Sequence, residues 1–288
     1  MLYLLLSVFF TSLVFLILKE FNRFQIDNFQ AIVVNYFIAF FIGSWFANSP
    51  VNLDLYINQA WTVGAICISL IFIITFNLMA ITAQKGGLSV MTIANKMSVV
   101  IPILIGVVLY KENLGAIRFT GIIVALLGVW FTSKKQDVSK LDKRFWYLPL
   151  LIFIGSGVAD SLINHIQLFY VSQNSLAVFS TSLFLFCGLL GVLVCVVKFV
   201  TIGLKFTLKN IIGGVVLGVP NYFSIYYLLK ALSQPNYESS FIFSINNLLV
   251  VLLSVILGVL LYKEKLSKQN YVGIVMSILA IVFLYIGV

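Results

Sequence analysis

The sequence predicts an all-α polytopic membrane protein, with ten transmembrane helices in two inverted five-helix repeats. Three observations carry that reading. Of the 288 residues, 61% are hydrophobic and only 9% charged, with a mean hydropathy of +1.11, which leaves too little polar surface to cover a water-soluble globule. The apolar residues fall into ten blocks, each long enough to cross about 30 Å of hydrocarbon at about 1.5 Å per helical residue. Finally, Leu109-Tyr110-Lys111-Glu112-Asn113-Leu114 returns 152 residues later as Leu261-Tyr262-Lys263-Glu264-Lys265-Leu266. The same offset pairs Ile93 with Ile245, Asn95 with Asn247, Gly106 with Gly258, Val107 with Val259, Gly121 with Gly273 and Phe131 with Phe283, as a duplicated unit would.

The first block, 2–19, has no basic segment before it and no small-x-small cleavage pattern, so it is expected to stay as helix one. Spans 29–47, 57–78 and 88–109 follow, the last ending in the first charged hairpin, and span five covers 115–133. Spans 146–170, 175–198, 208–230, 238–261 and 269–287 repeat the scheme. Helices are required rather than barrel strands, because runs such as Leu248-Leu249-Val250-Val251-Leu252-Leu253 are apolar on all faces where a strand would alternate. Pro220 in span eight and Pro102 in span four each remove a backbone donor, so both spans are expected to kink. The freed carbonyls suit a cavity wall, and a kink made only for packing is the alternative.

The polar segment 134–145 separates a first half, 1–133, from a second, 146–288. Five spans is an odd number, so the halves insert in opposite directions, with the polar site expected at the repeat interface near the bilayer midplane. Counting span-end residues with the adjoining connection, 14 of the 18 Lys and Arg go with the connections after odd-numbered spans and three with those after even-numbered ones, with Lys96 deep inside a span. The positive-inside rule then places the odd connections in the cytoplasm and both termini outside. The net charge of +9 is scattered over short loops, so it speaks for membrane orientation and against a nucleic-acid partner.

Cys67, Cys187 and Cys195 lie inside apolar spans without metal-like spacing and read as packing residues. Glu112 and Glu264 sit in hairpins at the water interface and read as turn residues. Gly106, Gly121, Gly128, Gly258 and Gly273 read as points of close helix packing. Trp61 and Trp146 are expected as interfacial anchors, while Tyr222, Tyr226 and Tyr227 on span eight are open to either packing or a substrate role.

Charges inside the apolar spans say more. Lys96 and Asp160 each cost about 2.5–3.5 kcal/mol at a helix centre on insertion scales, so both are expected to point inward. In span six, Ser156, Asp160, Asn164 and Gln167 share one helical face, with His165 at its margin. Span four stacks Ser89, Thr92 and Lys96 beside Asn95, and span nine stacks Ser240, Ser244 and Asn247. These faces, with Asn221 after the Pro220 kink, are expected to line one polar cavity, a buried structural ion pair being the alternative. Asp160 and His165 are the proton-coupling candidates, Asp160 the stronger.

Ten spans in two halves, with a Gly-x-x-x-Tyr-Lys-Glu-x-Leu-like hairpin closing spans four and nine and Gly121 or Gly273 after each, resemble the drug/metabolite transporter superfamily, the EamA-type branch above all. The resemblance implies a ten-helix secondary carrier of a small polar metabolite, an amino acid or related organic anion, often exported, working by alternating access. Lys96 is then expected to recognise an anionic group on the substrate. Expected partners are the small-molecule substrate, the lipid bilayer of a plasma (inner) membrane, and protons or a counter-substrate, with monomer and homodimer both open. No cofactor or metal is expected, and no His-Glu-x-x-His pattern, intramembrane aspartate pair or Ser/His dyad points to an enzyme. A channel, or a flippase-like lipid or ion carrier, is the alternative.

Overall fold

The computed structural model describes residues 1–47, 54–86, 88–111, 115–133, 147–202, 207–262 and 266–286, and among these all regular structure is helical. In chain order the helices are α1 (Leu2–Arg23), α2 (Asn28–Phe46), α3 (Asp54–Ile57), α4 (Thr62–Gly86), α5 (Leu88–Met97), α6 (Val100–Tyr110), α7 (Ala116–Ser133), α8 (Tyr147–Tyr170), α9 (Leu176–Ile202), α10 (Leu208–Leu232), α11 (Ser239–Tyr262) and α12 (Lys268–Ile286). Among the described residues, seven stretches are long and apolar enough to cross a membrane: Asn28–Phe46, Thr62–Met79, Tyr147–Tyr170, Gln173–Thr201, Leu208–Leu232, Ser239–Leu261 and Lys268–Ile286. The molecule is a multi-pass membrane protein. Expected spans one, four and five correspond to shorter apolar stretches, Leu2–Leu18, Ala94–Tyr110 and Phe119–Phe131. The linker 134–145, Trp146 and the hairpin glutamates Glu112 and Glu264 lie outside the described residues.

Local chemistry sets several helix ends. Asp27 caps α2 by accepting a hydrogen bond from the Gln30 amide at 2.9 Å. Ser267 and Asn270 form a reciprocal cap on α12: the Asn270 amide donates to Ser267 Oγ at 3.2 Å, and the Ser267 amide to Asn270 Oδ1 at 2.9 Å. Helix α6 stops at Tyr110 because Lys111 turns left-handed, with φ of 54°, and sends its amide back to the Gly106 carbonyl. The 152-residue offset recurs in these boundaries: α6 and α11 end at Tyr110 and Tyr262, and α7 and α12 begin at Ala116 and Lys268.

The chain divides into two compact units, Met1–Ile74 with Leu162–Ser233, and Thr75–Ser161 with Gln234–Val288. Each draws helices from both sequence halves, so the compact units cut across the division at the linker.

In the first unit α10 packs on α1, α2 and α9, and α2 on α9. Gly214 and Gly218 bring the α10 backbone onto α2: a Cβ at Gly214 would lie 2.5 Å from the Ala31 carbonyl, and one at Gly218 would lie 3.0 Å from that of Asn35. Small residues every fourth position permit this approach where lipid gives helices no hydrophobic drive to associate. Helices α2 and α9 run antiparallel, with Val33 against Gly191, Phe37 against Gly188 and Thr181 against Gly43. Trp61, expected as an interfacial anchor, is instead buried in an apolar cluster, edge-on to Phe179 at 6.0 Å.

In the second unit α7 packs on α12, and α11 on α6, α7 and α12. Gly121 faces Leu284 and Gly128 faces Ser277, so α7 and α12 are antiparallel. The reading of Gly121 and Gly128 as close-packing points is met: a Cβ on Gly128 would come within 2.6 Å of Ser277 Oγ.

Candidate functional site

The polar centre of the second unit starts from a broken helix. Pro102 has no N–H to offer the Ser98 carbonyl, which accepts instead from Ile101 at 2.9 Å, and Ser98 and Val99 form a turn between α5 and α6. The kink expected near Pro102 is therefore a break only two residues past Lys96. It leaves Lys96 in the last turn of α5, where the partial negative charge of the carbonyl ends favours a cation.

Lys96 is 5% exposed, and its Nζ donates to Asn247 Oδ1 on α11 at 3.0 Å. Asp160 on α8 is close enough for its charge to interact with that of Lys96. Asn95 donates to Ser156 Oγ at 2.8 Å, one turn before Asp160, and its amide nitrogen lies 3.9 Å from Met79 Sδ. Ser244 turns its hydroxyl to the Ser240 carbonyl of its own helix at 2.7 Å. Together with Val99, Ile103 and Leu248, Ser244 and Asn247 line a crevice of about 10 Å³, room for about one water and too small for a metabolite. The result is a desolvated ammonium held by a neutral acceptor with a carboxylate nearby. That pairing makes a buried charge tolerable.

The other expected site residues belong to the first unit or to its part of α8. Helix α8 passes from one unit to the other after Ser161, so Ser156 and Asp160 fall in the second unit, and Asn164, His165 and Gln167 in the first. Asn164 is buried, and Gln167 Nε2 donates to the Leu229 carbonyl at 2.7 Å. The His165 ring lies 4.8 Å from Phe169 and 6.4 Å from Tyr170. Asn221 donates to Asn35 Oδ1 at 3.1 Å and so ties α10 to α2 directly after Pro220. Thr92 lies on α5, and its side chain and that of Ser89 are outside the described residues. Asn35 was missed by sequence reasoning, although a single amide in the apolar run Val33-Val34-Asn35-Tyr36 is a readable sign of an interhelical bond. Among the described residues no group of three His, Cys, Asp or Glu is placed to hold a metal ion.

Comparison with known proteins bears on this arrangement. An uncharacterized protein of Haemophilus influenzae is 27% identical over 263 residues, covering 89% of this chain and 88% of its own length. A crystal structure superimposes with a TM-score of 0.76 over 98% of this chain and 94% of its own, at 11% identity, a likeness of fold alone. The model of the EamA-like transporter family matches residues 1–134. That family is, by its description, one of transporters. That match spans just under half of the 288 residues and is a likeness of the first half of the chain to the EamA-like transporter family.

Proposed function

We propose that the protein is a secondary transporter of the plasma membrane that moves a small polar metabolite, an amino acid or related organic anion, by alternating access. Lys96 pairs with the substrate's carboxylate. The observation that carries this is the buried Lys96 at a helix break, bonded to Asn247 with the Asp160 charge nearby. A purely structural ion pair has no use for a break in the helix that presents it, whereas a site that must release and rebind a cation does. Ionisable groups at membrane depth mark substrate or ion pathways by default. Asp160 is the group that takes up a proton when a substrate anion draws Lys96 away.

Ten crossings in two inverted repeats, with the linker at 134–145 in the cytoplasm, complete the reading. The antiparallel run of α7 against α12 supports it, because these helices occupy matching places in the two copies yet point opposite ways. The antiparallel pair α2 and α9 supports it in the same manner.

The test begins with thermal-shift screening of the purified protein against small metabolites, since a ligand that binds only the folded state stabilises it by mass action. In proteoliposomes the substrate so found should show saturable counterflow, which a channel would not. Lys96→Met should lower that counterflow at least about thirtyfold, in keeping with loss of a charge-assisted bond of about 2–3 kcal/mol, while the protein still inserts and purifies. Wild-type rate and affinity in Lys96→Met would end the proposal.

A further inference from the structure

The crevice beside the Lys96 centre has a form that holding a cation does not call for. Asn247 belongs to both: its Oδ1 accepts from Lys96 Nζ at 3.0 Å, and the same residue lines the crevice. Val99, in the turn of the broken helix, and Ile103, one turn further along, form one wall. Ala125 and Val129 on α7 form another, and Ser244 stands beside Asn247 on α11. All six are buried. Apart from Ser244 and Asn247, every residue lining the crevice is apolar.

A packing defect is the ordinary explanation of a small void between helices, since close-packed interiors keep a few. This one lies where the helix axis is broken and against the residue that holds the buried ammonium, so it borders the site. Its volume of about 10 Å³ is room for one water-sized group. Water suits it poorly, because a buried water makes about three hydrogen bonds. Ser244 already donates its hydroxyl to the Ser240 carbonyl at 2.7 Å, and Asn247 Oδ1 already accepts from Lys96. A methyl group is of similar size and asks only for the apolar walls.

We propose that the crevice is a subsite for a methyl branch on the anion that Lys96 recognises, so that the substrate is a carboxylate whose neighbouring carbon carries a single methyl group. The proposal rests on the carboxylate reading of Lys96 and adds to it the length of the branch. Groups that flank the same short side chain are separated by little more than that side chain's length, which suits a carboxylate and a substituent on the next carbon. An ethyl branch has one carbon more than the crevice holds, and a site discriminates one methylene by about tenfold or more.

The test is titration calorimetry of the full-length protein in detergent with two series of probes: glycine, alanine and 2-aminobutyrate, and glycolate, lactate and 2-hydroxybutyrate, chiral members as both enantiomers. In whichever series binds tighter, the methyl member should bind about tenfold tighter than the unbranched and the ethyl members. Ala125→Val fills the crevice and should bring the methyl and unbranched members to about equal affinity. Val129→Ala enlarges it and should make the ethyl member the tightest. The thermal midpoint in detergent checks the fold of each variant, and the wild-type series needs no variant at all. Absence of binding in both series, equal affinity for all three members, or an order unchanged in Val129→Ala would overturn the proposal, the last because the void would then be a packing defect only. Lys96→Met separates the two readings. Binding untouched by Lys96→Met removes the carboxylate reading on which this one rests, whereas binding lost in Lys96→Met yet indifferent to branch length in the wild type sinks the methyl subsite alone.

Discussion

Helices α5 and α6, taken together, and helix α11 are the same stretch of sequence written twice, yet one copy is broken and the other runs unbroken from Ser239 to Tyr262. Asn95 and Asn247, Gly106 and Gly258, and Tyr110 and Tyr262 correspond at the 152-residue offset. Among the positions that differ, two bear on the break and the charge. Lys96 corresponds to Leu248, and Pro102 to Ser254. The paired asparagines consequently have different partners: Asn95 bonds Ser156, while Asn247 accepts the Lys96 ammonium. Duplication supplied two equivalent frames, and a proline with a lysine six residues before it turned one of them into a charged site. Leu248 was left to pack the other against Ala125, Val129, Val251 and Ala280.

The sharpest way to break this contrast is to write the charge into the second copy. Leu248 is 1% exposed among apolar side chains, so Leu248→Lys should cost at least about 3 kcal/mol and abolish the monodisperse folded fraction on size exclusion. A normal yield would mean the second copy tolerates an ammonium as well as the first does. Writing the break into α11 is the next step. Ser254→Pro removes a donor from the middle of a continuous helix and should destabilise by about 3 kcal/mol, read as a large fall in the thermal midpoint in detergent. An unchanged midpoint would show that α11 is as ready to break as α5 and α6.

Smaller changes refine the contrast between the two asparagines. Asn247→Ala deprives a buried ammonium of its acceptor and should cost about 1.5–3 kcal/mol, whereas Asn95→Ala removes a neutral bond to Ser156 worth about 1 kcal/mol. The thermal midpoint should therefore fall further in Asn247→Ala than in Asn95→Ala. The reverse order would argue that Ser156 and Asn95, not Lys96 and Asn247, hold the centre of the second unit together.

Much of this was legible before any coordinates. Lys96 and Asp160 stand out because a charge in an apolar run is conspicuous, and their inward direction follows from the cost of exposing them to lipid. Pro102 announced a disturbed helix. Its position was less legible, because a missing donor at residue 102 is felt at the Ser98 carbonyl, one turn earlier, which brings the break to the foot of Lys96. Asn221, expected in the cavity wall, is bonded to Asn35, and His165, the weaker of the two proton-coupling candidates, lies beside Phe169. For neutral polar groups, sequence does not distinguish a side chain that meets a ligand from one that meets another helix.

The sequence by itself determined the solvent, the helical class and the duplication. Composition and the length of apolar runs act locally on the backbone, which must satisfy its own hydrogen bonds wherever water is absent. Only the tertiary structure decided which helices keep company. The two compact units draw on both halves of the chain, and α8 contributes Ser156 and Asp160 to one and Asn164 and Gln167 to the other. Partnership between helices in lipid depends on close fit at single positions such as Gly128 against Ser277 and Gly218 against Asn35, and on bonds such as that from Lys96 to Asn247. Those are pairwise facts, set by the shape and polarity of two surfaces at once, and no single stretch of sequence contains both.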